Sequence, residues 1–511
     1  MKHADDQRCA PVNRRRFLGG VTAGAAATAL TPGMAAAAPS SPRFFGRIFA
    51  DLPPFAQATP AVQEALREMG RPGGLMDAKD PLEEGPIRLI THPELSPNNV
   101  DNPFHTAGTT FFGQFMDHDF TFDLSSRLGV PADPEESPNS RTPTLELDSV
   151  YGGGPTADPT LYDPEDNDKF IVGSGGLFED LPREQDEIAI ISDPRNDENL
   201  MVSGIHAAFL LCHNRMVDRL RAQGVPAGQV FDRARRLVTW HYQWIVVHEF
   251  LPQVIGFGIT QDVLRHGRRF YRPASGQHFM PVEFQGAAYR FGHSMVRPSY
   301  RANLAGDQGE PFFGFVFDPA GQGQDDPVDL RGGARAPRRF IGWQTFFNFN
   351  DGEVKPNKRI DTKISTVLFR LPIAAIPTGD PPTALPQRNL LRHLTWSLPS
   401  GQAIADAMGQ PRLEPDALAE LRQFGVGLER STPLWYYVLK EAEVLGDGIS
   451  LAGVGARLIG EVILGLLELD PRSYLAADPA WRPTLPGKPN GDFGFADLLT
   501  FAGVDPASRG Q

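Results

Sequence analysis

Only two cysteines, Cys9 and Cys212, occur in the 511 residues. Cys9 lies in an N-terminal segment that reads as a removable leader. One thiol would then remain, which excludes an internal disulfide even in an oxidising compartment. Stability must come from packing, a cofactor or a metal. Positive charge is also scarce: 49 Lys and Arg stand against 62 Asp and Glu, a net charge of −13. That balance argues against a general nucleic-acid-binding role. Beyond the leader, no apolar run reaches the ~18 residues of a membrane-spanning helix. No internal repeat or low-complexity tract stands out. The 52 Gly and 47 Pro signal many loops.

What is present begins with Asn13-Arg14-Arg15-Arg16-Phe17-Leu18, a weakly apolar run to Leu30, and small residues at Ala35 to Ala38. This resembles a twin-arginine export signal, so residues 1–38 are expected to leave and the mature chain to be periplasmic or extracellular, with a net charge of −16. Residues 39–100 are Pro-rich and read as an arm, residues 101–480 as one large domain, and 481–511 as a C-terminal extension. Helical periodicity predicts helices over about 106–120, from a Ser203 cap through Leu220, over 230–254, 283–297, 433–444 and 453–468. Residues 131–143 and 302–337 read as loop. Strand alternation is scarce, so the expected fold is mainly α with long loops and few short strands.

The chemistry concentrates in Gly113-Gln114-Phe115-Met116-Asp117-His118-Asp119. On a helix, Gln114, Asp117 and His118 share one face. Asp119 is rotated by about 100° and points elsewhere. An amide, a carboxylate and an imidazole therefore converge. A second polar segment, Asp193-Pro194-Arg195-Asn196-Asp197-Glu198-Asn199, precedes a helix that contains His213-Asn214-Arg215. A third is Tyr289-Arg290-Phe291-Gly292-His293.

With these segments the chain resembles the animal-type haem peroxidases of the peroxidase–cyclooxygenase superfamily, as a secreted bacterial member, over roughly residues 85–476. The resemblance implies a large helical haem domain over 101–480. It makes His118 the distal acid–base, Gln114 its neighbour, and Arg195 the positive charge beside the breaking O–O bond. Hydrogen peroxide must lose a proton from one oxygen and gain one on the other, and a neutral imidazole near pH 7 can do both. In members with covalent haem, the Asp and Glu at the positions of Asp117 and Glu198 form esters with haem b. Asn199 stands where some mammalian members have the Met of a third link, so no sulfonium bond can form here. His293 becomes the axial iron ligand and Arg290 a neighbour of a haem propionate. Asn389 would hold the second nitrogen of His293, and Arg392 and Leu398-Pro399 complete that pattern. A neutral partner gives His293 less anionic character than a carboxylate would, which favours a higher iron potential.

The same resemblance implies Ca²⁺ bound by Asp119 with Thr142, Thr144, Glu146 and Asp148, before Val150-Tyr151-Gly152. Alternating oxygens suit a hard cation. Glu146 departs from the usual Asp, and its longer arm is expected to shift or weaken the site. The implied partners are hydrogen peroxide and a small reductant: a halide, pseudohalide or phenol. Two other functions compete. One is a fatty-acid dioxygenase of the same superfamily, whose radical Tyr lies three residues before the proximal His; here that residue is Arg290, and Tyr289 is four before. The other is a non-catalytic adhesion protein that keeps the haem fold. His248-Glu249 lacks the second His of a zinc protease motif, since Pro252 occupies its place.

Overall fold

Helix ends follow the capping chemistry. In the helix Leu200–Ala222, Asn199 Oδ1 accepts from the Val202 N–H at 3.0 Å, a cap worth about 1 kcal/mol. The helix therefore starts before the cap expected at Ser203. Ser203 is buried within the first turn and donates to the Leu200 carbonyl. Asn199 takes the cap because a 3-10 turn, Pro194–Asp197, delivers the chain there, itself capped by Asp193. In this computed structural model the described residues are 44–274, 277–321, 324, 326–333, 335, 337–376, 379–488 and 491–511. The expected leader, 1–38, lies outside them.

Helices dominate, as the periodicity predicted. The segment expected at 230–254 runs as Ala227–Ile245, a π turn Val246–Phe250 and a last helical stretch Leu251–Ile255. Pro252 has no N–H to offer four residues back, and the helix widens just before it. The helix expected at 283–297 is instead three short pieces, Val282–Gln285, Ala288–Phe291 and Gly292–Met295. Ala287, at φ −140° and ψ −73°, leaves helical geometry. A side chain on Gly286 would come within 3.0 Å of Trp396. The helices Leu434–Leu445 and Gly453–Leu469 lie close to where they were expected. Those at Pro60–Met69, Leu385–Thr395, Gly401–Met408 and Phe495–Ala502 were not foreseen.

Among the described residues there are eight short strands, in four two-stranded sheets. The longest, Asp101–Thr106, pairs antiparallel with Pro356–Lys358. Ser299–Arg301 pairs antiparallel with Phe313–Phe315, a strand that lies inside the stretch 302–337 expected to be loop. The described residues from Phe44 onward fall in one compact unit. The expected arm and extension both enter its core: Leu66 and Met69 are buried, and the Phe495 ring lies 4.7 Å from both Phe112 and Phe347. At the centre sits Gly108–Phe120, with every residue buried except Gln114 and Asp117. Phe115 stacks on Phe209 at 5.0 Å, a contact worth about 1 kcal/mol beyond its buried area. The rigid aromatic packing on one side of this helix fixes what its other side presents.

Candidate functional site

The face of Gly108–Phe120 that carries Gln114, Asp117 and His118 lines a cavity of about 1560 Å³ including its mouth. Arg195 and Glu198 line it as well, and so do Arg290, His293, Arg388 and Arg392. Two groups of side chains far apart in sequence are thus brought to one space, as the three polar segments required. The walls between them are apolar, with Phe291, Val296, Val316, Phe317 and Leu368.

On one wall, Gln114 Nε2 donates to Glu198 Oε1 at 2.5 Å, and Asn199 Nδ2 donates to Gln114 Oε1 at 3.1 Å. Arg195 is gripped by Asp193, through Nε to Oδ1 at 3.1 Å and Nη2 to Oδ2 at 2.8 Å. Nη2 also donates to the His118 carbonyl at 3.1 Å, and Nη1 lies 3.8 Å from Asp117 Oδ2. The guanidinium sits 4.0 Å over the Phe122 ring. Burial works against charge on Asp193, but Arg195 and Arg141 outweigh it and hold that carboxyl below its usual range. Arg195 is therefore a fixed cation. Burial, helped by Arg195, depresses His118 to about 3, so its imidazole is neutral near pH 7. Burial raises Glu198 to about 7 against the pull of Arg195, and raises Asp117 in the same way. His118 Nδ1 lies 2.9 Å from Asn196 Oδ1.

Around His293, Asn389 Nδ2 lies 2.7 Å from His293 Nδ1, and Asn389 Oδ1 accepts from Arg290 Nη1 at 2.8 Å. His293 is depressed to about 3 by burial and then by Arg290. With Nδ1 tied, Nε2 is the edge left for a ligand. Trp435 packs edge-on at 6.4 Å from the His293 ring and donates its indole N–H to the Arg290 carbonyl at 3.0 Å. Burial and the neighbouring Arg392 lower Arg290 to about 10. Arg392 reaches Asp123 Oδ2 at 2.8 Å, yet its Nε is buried with no hydrogen-bond partner. Two neighbouring guanidiniums lining the cavity, Arg290 and Arg392, favour an anionic group beside them.

Asp119 leaves the cavity face, as its rotation required, and is wholly buried. Its Oδ2 accepts from the Leu147 N–H at 3.0 Å, while Oδ1 has no hydrogen-bond donor. Thr144 Oγ1, Asp148 Oδ1 and Ser149 Oγ are buried and undonated too, with Arg141 3.5 Å from Asp148 Oδ1. Burial and the charge of Asp148 raise Asp119 well above the carboxylate range. Leu147 holds a left-handed backbone, φ 59°, which a non-glycine residue adopts only at a cost. Glu146, expected as a ligand, pairs instead with Arg472, and Thr142 also bonds to it. Its longer arm makes that reach possible. Among the described residues, no group of three or more His, Cys, Asp or Glu is arranged to hold a metal. A cation here would rest on Asp119 and Asp148 with hydroxyl oxygens.

Residues 125–312 match the animal haem peroxidase family. That stretch contains Arg195, Glu198, Arg290 and His293, while the 108–120 helix and Asn389 lie outside it. The human protein described as probable oxidoreductase PXDNL is 28% identical over 223 residues, 39% of this chain and 15% of that protein. A peroxidase-like protein of Margaritifera margaritifera is 24% identical over 282 residues, 41% of this chain and 34% of the relative. The chain thus spans about a third or less of these curated relatives. In fold it is similar to peroxidase A from Dictyostelium discoideum, with a TM-score of 0.61, 14% identity, and 90% of this chain and 92% of that one covered. Fatty acid alpha-dioxygenase from Arabidopsis thaliana follows at a TM-score of 0.56 and 14% identity, covering 91% and 76%. The animal haem peroxidases thus share with this chain the segment that holds Arg195 and His293.

Asn196 and Asp193 are not among the residues the sequence pointed to. Both are fully buried and hold His118 and Arg195. A signal existed for Asp193, since Asp-Pro is a common entrance to a turn. Asn196 gave none, because its partner is 78 residues away.

Proposed function

We propose that this protein is a haem peroxidase that reduces hydrogen peroxide and oxidises small substrates such as a halide, a pseudohalide or a phenol. The observation that carries this reading is that a neutral imidazole, His118, and a fixed cation, Arg195, share one cavity with a second imidazole, His293, whose Nδ1 is tied to Asn389. The residues fit the cofactor: His293 Nε2 for iron, and Arg290 and Arg392 for propionates. Bound haem would supply the redox centre, iron together with its macrocycle, that takes up both oxidising equivalents of the peroxide and passes them on to the substrate.

The side chains do the rest. His118 takes a proton from one peroxide oxygen and delivers it to the other, which leaves as water. Arg195 places positive charge where the leaving oxygen turns negative, without the cost of reorganising at that moment. Ligation through Nε2 puts the His293 proton on Nδ1. Asn389 must then turn its Oδ1 to that proton, and Arg290 must find another acceptor, a role that a propionate suits. Asp117 and Glu198, which line the cavity, are the candidates for ester links to haem. Asp119 and Asp148, with undonated buried oxygens beside them, are the candidates for Ca²⁺. Export through Arg14-Arg15 belongs to the same reading.

The similarity in fold to alpha-dioxygenases raises a second reading, because Tyr289 lines the cavity. Its hydroxyl, however, donates to the Gly113 carbonyl at 2.9 Å, so it is engaged inside the wall. Stopped-flow spectra with hydrogen peroxide, beside oxygen-electrode traces on linoleate, test the two. A peroxidase changes its haem spectrum within one equivalent of peroxide, and Tyr289→Phe leaves that reaction intact. Rapid oxygen uptake that disappears in Tyr289→Phe would overturn the assignment.

A further inference from the structure

His118 can take a proton only through an unprotonated Nε2, so its single proton must sit on Nδ1. In a neutral imidazole the group bonded to one nitrogen decides the state of the other. Asn196 Oδ1 stands 2.9 Å from His118 Nδ1, and a carbonyl oxygen can only accept. Which end of the Asn196 amide faces His118 is therefore the deciding question. An amide turned about would offer N–H to Nδ1, force the proton onto Nε2 and remove the base.

Two neighbours fix the direction. Asn196 Nδ2 lies 3.0 Å from His206 Nδ1 and 3.5 Å from the Ser149 carbonyl. His206 alone would not settle it, since that ring could switch its own proton. The Ser149 carbonyl cannot donate, so an oxygen turned toward it would face another lone pair. The Nδ2 end must point to Ser149 and His206, and Oδ1 to His118. Asn196 is fully buried in the 3-10 turn Pro194–Asp197, and its backbone N–H bonds to the Asp193 carbonyl at 3.0 Å. His206 is buried on Leu200–Ala222, edge-on to Phe115.

We infer that Asn196 is the positioning residue of the distal base: with Ser149 and His206 it holds His118 with Nδ1–H bonded and Nε2 free for the peroxide proton. The inference rests on the peroxidase reading for its purpose, not for its geometry. Cyanide separates the two, because neutral hydrogen cyanide must also give up its proton to a distal base before the anion binds iron. The C–O stretch of the reduced, carbon monoxide-bound protein reports which His118 edge faces the ligand.

The haem-loaded protein and two variants are compared. Asn196→Leu keeps the volume and removes the acceptor. It should slow both cyanide association and the peroxide reaction by at least about tenfold, shift the C–O stretch, and leave haem content unchanged. Asn196→Asp keeps an acceptor and should associate with cyanide as the parent does. Parent-like cyanide rates and an unshifted stretch in Asn196→Leu overturn the inference. Should Asn196→Leu fail to fold, Asn196→Asp decides alone: a loss beyond about tenfold overturns it, and a parent-like rate supports it. A parent that binds cyanide quickly but consumes no peroxide overturns the peroxidase reading and leaves the inference standing.

Discussion

Two histidines face one cavity, each held at Nδ1 by a buried asparagine, and the two amides present opposite ends. Asn196 shows its oxygen to His118, because its nitrogen is claimed by Ser149 and His206. Asn389 shows its nitrogen to His293, because its oxygen is claimed by Arg290. The third partner, not the asparagine, sets the direction. The distal arrangement suits a proton acceptor as it stands. If His293 Nε2 held iron, as proposed, the proximal amide would have to exchange ends, and the guanidinium that blocks the exchange, Arg290, is one of two that favour an anion in the cavity. On that reading, cofactor loading and ligand orientation would be linked through Arg290.

The sharpest way to break this comparison is to remove each ring. His293→Ala should lose haem on purification, seen as loss of the Soret band. His118→Ala should retain haem and slow the peroxide reaction by at least about a hundredfold. Haem retained in His293→Ala would deny the proximal wall its role.

Acid treatment reads the next largest effect. Burial holds His206 at about 3 and His213 and His393 at about 4, against 6.5 in an unfolded chain. The folded form binds fewer protons, so the stability these rings contribute is complete above about 6.5 and falls as pH drops toward 4. The slope is roughly 1.4 kcal/mol per pH unit for each ring. Denaturation midpoints measured between pH 7 and pH 4.5 should fall steadily. A flat profile would mean that the rings are not buried neutral.

The loop beside the distal helix gives a smaller change. Asp119→Ala should lower the melting temperature by roughly 2 °C or more, and calcium chelation should do the same to the parent but not to the variant. Equal responses of both proteins to chelator would remove Asp119 from the site. The finest test exchanges the proximal amide. Asn389→Asp should make His293 more anionic and lower the haem midpoint potential, by about 60 mV if the bond strengthens by ~1.4 kcal/mol. An unchanged potential would show that Asn389 does not bond the ring once iron is bound.

The polar face of Gly108–Phe120 was legible in the sequence because Gln114, Asp117 and His118 are local: helical spacing alone brings them together. The same holds for the helical character of the fold and for Asp119 facing away. Resemblance, rather than spacing, supplied Arg195, Glu198, His293 and Asn389, and the structure brings these to the cavity region. Helix breaks were less legible. Glu283 to Arg297 lacks proline until the residue after its end, yet the chain leaves helical geometry at Ala287, next to Gly286, where a Cβ would meet Trp396, 110 residues further on. Glu146 is a ligand only as the family resemblance implies, with Thr144 and Asp148 alternating beside it, and Arg472, 326 residues away, bonds its carboxylate.

By itself, then, the sequence determined which side chains a helix must group: the amide, carboxylate and imidazole on one face, with Asp119 off it. Tertiary structure decided the states of those groups. The proton on His118, the charge on Arg195 and the direction of the Asn196 and Asn389 amides depend on partners up to 99 residues distant in the chain. Burial decides their protonation as well. The physical reason is that a hydrogen bond and a low-dielectric environment act over a few ångströms in space, and only folding determines which residues share those few ångströms.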